Sequence, residues 1–575
     1  MIKSILKILY KIQTIKEGAM KTKRVYKLLF LCTLFLIVVA QLSFKEAEFT
    51  PEEEGYCTSI MVGKLASTDG SVITSHSCDG PYRTWLNIVP HKKYDPGAMR
   101  KVYWGTMHTE TSWDVRNIIE KGEIPQVEET YAYFNVCYPA MNEKQLAIGE
   151  TTIGGKRELM NDDGMFVIEE LQRIALERCT NARDAIKLMG ELAYEYGYGD
   201  YGECLTVADK KEVWHFEIFG SSFVYDEPKA VWAAVRIPDD HVGVSANIPR
   251  INTLDLDNPD YYMASENVYS LAEELGYWDP KSKEPFKFWK AYSGRRPFSD
   301  REYFILSTLA PSLNLKWDSE ELPFSVKPDK KVDIRDVLAF YRQWYEGHEF
   351  DMTQNLKVPK RYRRGEEPKE GEEPEMVTSP VANPFMSYYT RELLNALKPE
   401  TVRYRRNIAI SGCSYSQIIQ CRDWLPDEIG GVAWFSFDNP GVSPRIPIYA
   451  GTLSLPKSFE ICGQHRYRED AAIWNFRRTN RLAEANWGRS REIIEEAVME
   501  FENKAFTELP MIDKMALELY NKEKGKEPEM DENGDPKPPE YRELITSYSK
   551  DFARAAMNKW WELGDEFWHM FGRGF

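Results

Sequence analysis

A chain of 575 residues with a formal net charge of −16 is too long for one small core and carries no basic footprint for a nucleic-acid partner. Its 16 tryptophans and 32 tyrosines are more than a disordered chain would carry. Two to four domains is the expectation from length alone.

Reading from the amino terminus, Lys21-Thr22-Lys23-Arg24-Val25-Tyr26-Lys27 is a basic stretch followed by the apolar run Leu28 to Ala40. A run of about thirteen residues has the size of a signal-peptide core and is short for a bilayer span. The reading is therefore a signal peptide over 1–40, with Met20 as an alternative start, and export to the periplasm or the medium. An uncleaved anchor is the structural alternative. Leu31 ahead of Cys32 is too large for a lipoprotein cleavage site, which argues against a lipid anchor. Residues 41–56 then form an acidic lead-in that ends at Gly55-Tyr56.

Cys57-Thr58-Ser59-Ile60-Met61-Val62-Gly63-Lys64 opens a hairpin through Ala66-Ser67-Thr68-Asp69-Gly70-Ser71 to a second strand at Val72. A cysteine placed there, behind a removable leader, is a candidate mature amino terminus. Its thiol would be the nucleophile and its own α-amine the base. The competing reading is an ordinary buried thiol at the head of a core strand. Eight cysteines follow the leader, with no C-x-x-C pair and no His-rich spacing, so structural zinc is unsupported and buried thiols are expected.

Further along, β-branched and aromatic content predicts strands at 72–75, 147–152, 204–208, 213–218, 231–236 and 242–246. Apolar periodicity predicts a helix over 164–178. A second, 181–196, starts at the capping run Thr180-Asn181-Ala182-Arg183-Asp184. A charged, Pro-rich stretch at 355–378 reads as a solvated insertion, and a similar one recurs at 522–540. Strands return at 407–411, 416–421, 431–437 and 446–449. From 471 to 575 the pattern is mostly helical, with Trp474, Trp487, Trp560, Trp561 and Trp568 expected to pack on the body. Helix pairs alternating with antiparallel-looking strands point to layered α+β packing, and no phosphate-binding glycine motif is present.

Four further segments accompany Cys57: Ser75-His76-Ser77-Cys78-Asp79-Gly80, Asn142 to Thr152, Val244-Ser245-Ala246-Asn247-Ile248-Pro249-Arg250, and Gly431 to Pro440 with Ile446 to Gly451. With these in order, the chain resembles the dipeptidase A and secernin family of cysteine peptidases, amino-terminal-nucleophile hydrolases related to bile salt hydrolases and penicillin V acylases. The opening C-T-S-I-x-V-G-K-x-A-S-x-D-G-S-V is the most specific piece. The resemblance covers about Cys57 to Gly451. It implies an α+β, four-layer αββα sandwich over 57–470 with a helical extension over 471–575, self-processing ahead of the cysteine, and hydrolysis of small peptides without a metal or other cofactor.

Carried over by motif, Cys57 is the nucleophile, Asp79 orients its amine, Asn247 donates its side-chain amide to the oxyanion, and Thr152 contributes a backbone N–H. An arginine of the related acylases, three residues before the aspartate, is replaced here by His76, a substitute hydrogen-bond donor or a surface histidine. Glu150 and Arg250 are candidates for a peptide's amine and carboxylate, and Arg422 and Arg445 for a cation carried late in the fold. Asn142 and Glu143 make a tight turn with no chemical role. The resemblance implies small peptides as partners, no nucleic acid, no stable membrane anchor after leader removal, and allows a homo-oligomer. The alternatives are an acylase or amidase acting on conjugated bile acids or other N-acyl amides, and a catalytically silent envelope binding protein of the same fold.

Overall fold

The computed structural model describes residues 57–572 apart from 112, 222–228, 295–297, 363–371 and 533–535. The leader, the acidic lead-in and Tyr56 lie outside the described residues.

Two antiparallel sheets carry the fold. The larger is built from β1 (Ser59–Val62), β2 (Val72–Asp79), β7 (Val242–Ser245), β9 (Ser325–Val326), β10 (Cys413–Cys421), β11 (Val432–Phe437) and β12 (Ile446–Tyr449), in the order β9-β7-β1-β2-β10-β11-β12. The smaller contains β3 (Ala147–Thr152), β4 (Glu203–Ala208), β5 (Val213–Gly220), β6 (Ala230–Ile237) and β8 (Tyr262–Ala264), in the order β8-β6-β5-β4-β3. Both β2 and β10 are buried along their whole length, as expected of strands covered on both faces.

The two sheets meet through β1 and β2 against β3 and β4. Small polar side chains stitch this layer together. Thr74 Oγ1 lies 2.7 Å from Thr206 Oγ1, Thr151 Oγ1 lies 2.6 Å from Ser245 Oγ, and Ser59 Oγ donates to the Glu150 carbonyl at 3.3 Å. The approach is so close at Gly149 that a Cβ there would sit 2.2 Å from the Ser75 carbonyl oxygen. Only glycine fits that point.

Outside the sheets, α1 (Ile168–Arg178) packs on α2 (Ala182–Tyr196), and α2 covers β4, β5 and β6. Asn181 caps α2 by accepting from the Asp184 backbone N–H, as the composition of that turn predicts. Across the larger sheet, α3 (Asp300–Leu309) packs on β7 and α4 (Ile334–Tyr341) on β10. The carboxyl-terminal helices α5 (Ala472–Ala485), α6 (Trp487–Glu523) and α7 (Glu540–Phe571) pack on one another, α5 against β11 and α7 against β12.

Several expectations are corrected. The first helix starts at Ile168, not 164, because Phe166 is drawn into a bridge with Tyr198. Residues 407–411 form no strand; the Asn407 side chain bonds the Pro384 carbonyl and the segment turns into β10 at Cys413. The 355–378 insertion contains a short ribbon pairing Lys357–Pro359 with Met376–Thr378. Trp560 is fully buried and Trp487 nearly so, whereas Trp568 is 50% exposed. All eight cysteines after the leader are buried and free, as expected.

Candidate active site

Cys57 stands immediately ahead of β1, 1% exposed. Regular pairing between β1 and β2 occurs at Val62 and Ile73, and serines carry it toward the cysteine. The Ile60 backbone N–H donates to Ser75 Oγ at 2.7 Å, and the Thr58 N–H donates to Ser77 Oγ at 3.0 Å. Tyr341 of α4 closes the gap, its hydroxyl bonding the Thr58 carbonyl at 2.6 Å and Ser75 Oγ at 2.9 Å. Side chains here replace ladder bonds, which frees the strand to bring Cys57 against the end of β2.

That end supplies Asp79. Its backbone N–H points at the Cys57 thiol. Its carboxylate is wholly enclosed: Oδ2 accepts from Ser77 Oγ at 2.9 Å and from Arg406 at 2.7 Å, and Oδ1 has no hydrogen-bond partner among the described residues. A buried carboxylate oxygen left without a donor is costly and marks a place where a donor is expected.

His76 is no surface histidine. It is fully buried between Tyr138 and Tyr415, and Nδ1 lies 2.7 Å from the Glu150 carbonyl oxygen. Nδ1 therefore holds the proton and donates, while Nε2 is left as an unpartnered acceptor. Burial drops the imidazole to about 4 despite that bond, so it is neutral at physiological pH. It supplies no positive charge.

Glu150, on β3, brings a carboxylate oxygen within 4.8 Å of both the Cys57 sulfur and a His76 ring nitrogen. Burial lifts Glu150 to about 7 against hydrogen bonds from Glu203, Cys57 and Thr152. The cysteine thiol responds to the same surroundings. Burial, then the charges of Glu150 and Asp79, push it far up, and the Asp79 N–H offsets only part of this. With the chain continuous through Cys57, the thiol stays protonated.

Three donors of the Cys57, His76 and Glu150 group could in principle grip a soft cation, since thiolate, imidazole and carboxylate all ligate zinc. His76 Nδ1 is committed to the Glu150 carbonyl, which leaves Nε2 as the nitrogen open to such an ion.

Asn247 follows β7 in a left-handed conformation, φ 63°, which asparagine tolerates better than most residues. Its amide is held at both ends: Nδ2 donates to the Thr152 carbonyl at 2.8 Å, and Oδ1 accepts from Arg301 at 2.9 Å. One Nδ2–H remains outside these two bonds. Thr152 closes β3, with Oγ1 donating to Glu150 Oε1 at 3.2 Å.

Arg301 is the residue that sequence reading missed. Buried at the start of α3, it donates to the Cys57 carbonyl at 2.5 Å, Thr58 Oγ1 at 2.8 Å, the Ala246 carbonyl at 2.9 Å and Asn247 Oδ1. The same helix start is a capping box, Ser299 with Glu302, whose Oε1 also accepts from the Ala246 N–H at 3.1 Å. The capping signature was legible in the sequence; the reach back of 244 residues to Cys57 was not.

The remaining cations divide differently from expectation. Arg406, outside every motif considered, pairs with Asp79. Arg422 is bound to Asp513 of α6 and to the Gly430 and Ile429 carbonyls, and Arg445 to Ser416. Arg250 donates to the Pro323 carbonyl at 2.5 Å and has Glu302, Glu217 and Glu321 as charged neighbours. Asn142 and Glu143 are structural as read: Asn142 bonds the Leu176 and Cys179 carbonyls at 2.8 Å, and Glu143 accepts from the Ala132 N–H.

A buried cysteine at a strand head, an aspartate with an open oxygen and a clamped asparagine fall inside one family match. The sequence profile of peptidase family C69 covers residues 56–500. The chain belongs to peptidase family C69. Among curated members, a probable dipeptidase of Latilactobacillus sakei is 24% identical over 76% of this chain and 82% of its own length. A probable dipeptidase of Salmonella dublin is 26% identical over 69% and 81%, and dipeptidase A of Lactobacillus helveticus is 22% identical over 75% and 82%. As a C69 member, the chain sets its family region around the Cys57 cluster and continues beyond it into the rest of α6 and α7.

Proposed function

We propose that this protein is an exported cysteine dipeptidase whose nucleophile, Cys57, becomes the amino terminus when the Tyr56–Cys57 bond is cut. The fold fits the reading. Two facing antiparallel sheets with helices on their outer sides match a four-layer αββα amino-terminal-nucleophile sandwich over 57–470, followed by the helical region over 471–575.

The single observation that carries the proposal is electrostatic. The thiol lies among Glu150, Asp79 and Glu203, and the adjacent imidazole is neutral. Ionising it requires a new positive charge or a base within reach. An α-amine on Cys57 itself is both, and the open Oδ1 of Asp79 would accept from it.

In the reaction, the free amine takes the thiol proton and the thiolate attacks the peptide carbonyl carbon. The oxyanion that forms accepts from the spare Nδ2–H of Asn247 and the Thr152 N–H. When the C–N bond breaks, the leaving amine takes the proton from the Cys57 ammonium and the acyl group stays on sulfur. The amine then deprotonates a water that attacks the thioester, releasing the carboxylic acid and restoring the thiol. His76 and Glu150 border the substrate, and Arg301 holds Asn247 and the cysteine carbonyl in register. Arg250, which donates to the Pro323 carbonyl, stays the candidate for the substrate carboxylate.

That the relatives are named dipeptidases supports peptides over N-acyl amides as the substrate class. A panel of dipeptides assayed beside a glycine-conjugated bile acid tests this. Cleavage of the dipeptides, lost in Cys57→Ala, is expected; turnover of the bile acid alone would overturn the substrate class.

A further inference from the structure

Strand alternation puts Glu150 and Thr152 on one face of β3, and the register sets Glu203 of β4 directly opposite Thr152. Glu203 therefore joins Glu150 on that face. The two carboxyl groups lie within hydrogen-bond reach of each other, both bond Thr152, and both are at least 97% buried. Oε2 of either has no hydrogen-bond partner among the described residues. Nε2 of His76, fully buried beside them, is also without a donor. Three enclosed acceptors beside one thiol, with no arginine or lysine bonded to them among the described residues, describe a site shaped for a small cation that carries several N–H donors. A protonated primary amine has three such donors.

We propose that Glu150 and Glu203 bind the α-ammonium of a peptide substrate, so that Cys57 cuts after the first residue and requires an unblocked amino terminus. The inference rests on Cys57 being the nucleophile and adds the register of cleavage. Reach decides that register. In a bound peptide only one Cα separates the ammonium nitrogen from the first carbonyl carbon, which the sulfur must touch. A Glu150 oxygen lies within 4.8 Å of that sulfur, a span that fits this short connection. Each further residue ahead of the scissile bond would carry the ammonium roughly 3.3–3.6 Å farther away. The acyl group held on Cys57 is then a single aminoacyl residue. Glu203 acts here as a binding group and takes no part in bond making.

The test compares L-alanyl-L-alanine with its N-acetyl derivative on the purified protein, for the wild type, Glu203→Gln and Cys57→Ala. The wild type is expected to prefer the free amine by ~100-fold or more in kcat/KM, the order of effect of an unpaired buried charge. Glu203→Gln should raise KM for the free peptide by ~30-fold, with a smaller change in kcat, and so narrow the preference for the free over the acetylated peptide. Intact mass beginning at Cys57 reports that Glu203→Gln has folded and processed. If that variant does not fold, the wild-type ratio of free to acetylated peptide decides alone. Loss of activity in Cys57→Ala together with equal cleavage of both peptides would overturn the amine site while leaving the nucleophile intact. Full activity in Cys57→Ala would remove the nucleophile and this inference with it.

Discussion

Two buried carboxylates, Glu150 beside the thiol and Asp438 under the carboxyl-terminal helices, show what the same burial does with and without partners. Asp438 is fully enclosed, at φ 60°, and receives Arg477 at 2.7 Å, Arg481 at 3.3 Å and Asn480 at 2.9 Å. Burial pushes it up, but Arg481 and Arg477 outweigh that and hold it below the usual carboxylate range. Glu150 is just as enclosed and has no such cation, so burial lifts it to about 7. The first carboxylate belongs to a satisfied network that fastens α5 to β11. The second sits in a cluster with open acceptors, a cost to stability that a structural site would not retain. Perturbation without a partner marks chemistry.

The largest effect that would sharpen this contrast is on the site side. Cys57→Ala should lower dipeptide hydrolysis by ~10⁴-fold or more, since nothing else near the site replaces the nucleophile. Retained activity in that variant would make the unsatisfied cluster merely structural. Next, Asp438→Asn takes the charge away from Arg477 and leaves Arg481 with Glu484 alone, and thermal unfolding should report a loss of about 3–5 kcal/mol. A wild-type melting temperature would show that the helices do not depend on that pair. Asn247→Ala should lower kcat by ~10²–10³-fold with little change in KM, as expected for an oxyanion donor. Arg301→Lys is expected to move the same way by a smaller factor, because one ammonium cannot hold both Asn247 Oδ1 and the Cys57 carbonyl. Equal effects on KM alone would place both residues in ground-state binding.

The smallest effect is a difference in pH dependence, and its sign separates the two carboxylates. Glu150 binds its proton more tightly folded than unfolded, so its contribution is present below the ordinary glutamate value and is lost as pH rises through about 7. Glu203, also pushed up by burial and by Glu150, adds in the same direction, with Cys57, neutral His76 and Asp200 as the other titratable neighbours. Asp438 contributes the reverse: stability present above the ordinary aspartate value and lost as pH falls through its depressed one. Urea unfolding of Glu150→Gln, whose side chain mimics the protonated acid, should therefore match the wild type more closely at pH 5 than at pH 8, where the variant should be the more stable. An identical difference at both values would mean that Glu150 titrates normally in the folded chain.

Much of the fold was legible because its strands are short, β-branched and evenly buried. The expectation for 147–152 coincides with β3, and those for 213–218 and 231–236 fall within β5 and β6. Cys57 was visible through its motif, and Asp79 and Asn247 through theirs. What stayed hidden are contacts made by long side chains across the sequence. Arg301 lies in a capping box that says nothing of catalysis and Arg406 in a stretch with no motif, and their importance lies in reaching Cys57 and Asp79 through 244 and 327 residues of separation. Glu203 reads as an ordinary strand residue until register sets it opposite Thr152. His76 looked as much like a surface residue as a site residue, since a period of two cannot tell which face of β2 is covered when both are.

The central claim is that Cys57 works only as a free amino terminus. Intact-mass measurement and amino-terminal sequencing of the purified protein test it most directly. The account predicts a mature chain that begins at Cys57, and a Cys57→Ala variant that keeps the residues ahead of that position and hydrolyses no dipeptide. An active protein that still begins near Gln41, with Cys57→Ala equally active, would contradict it.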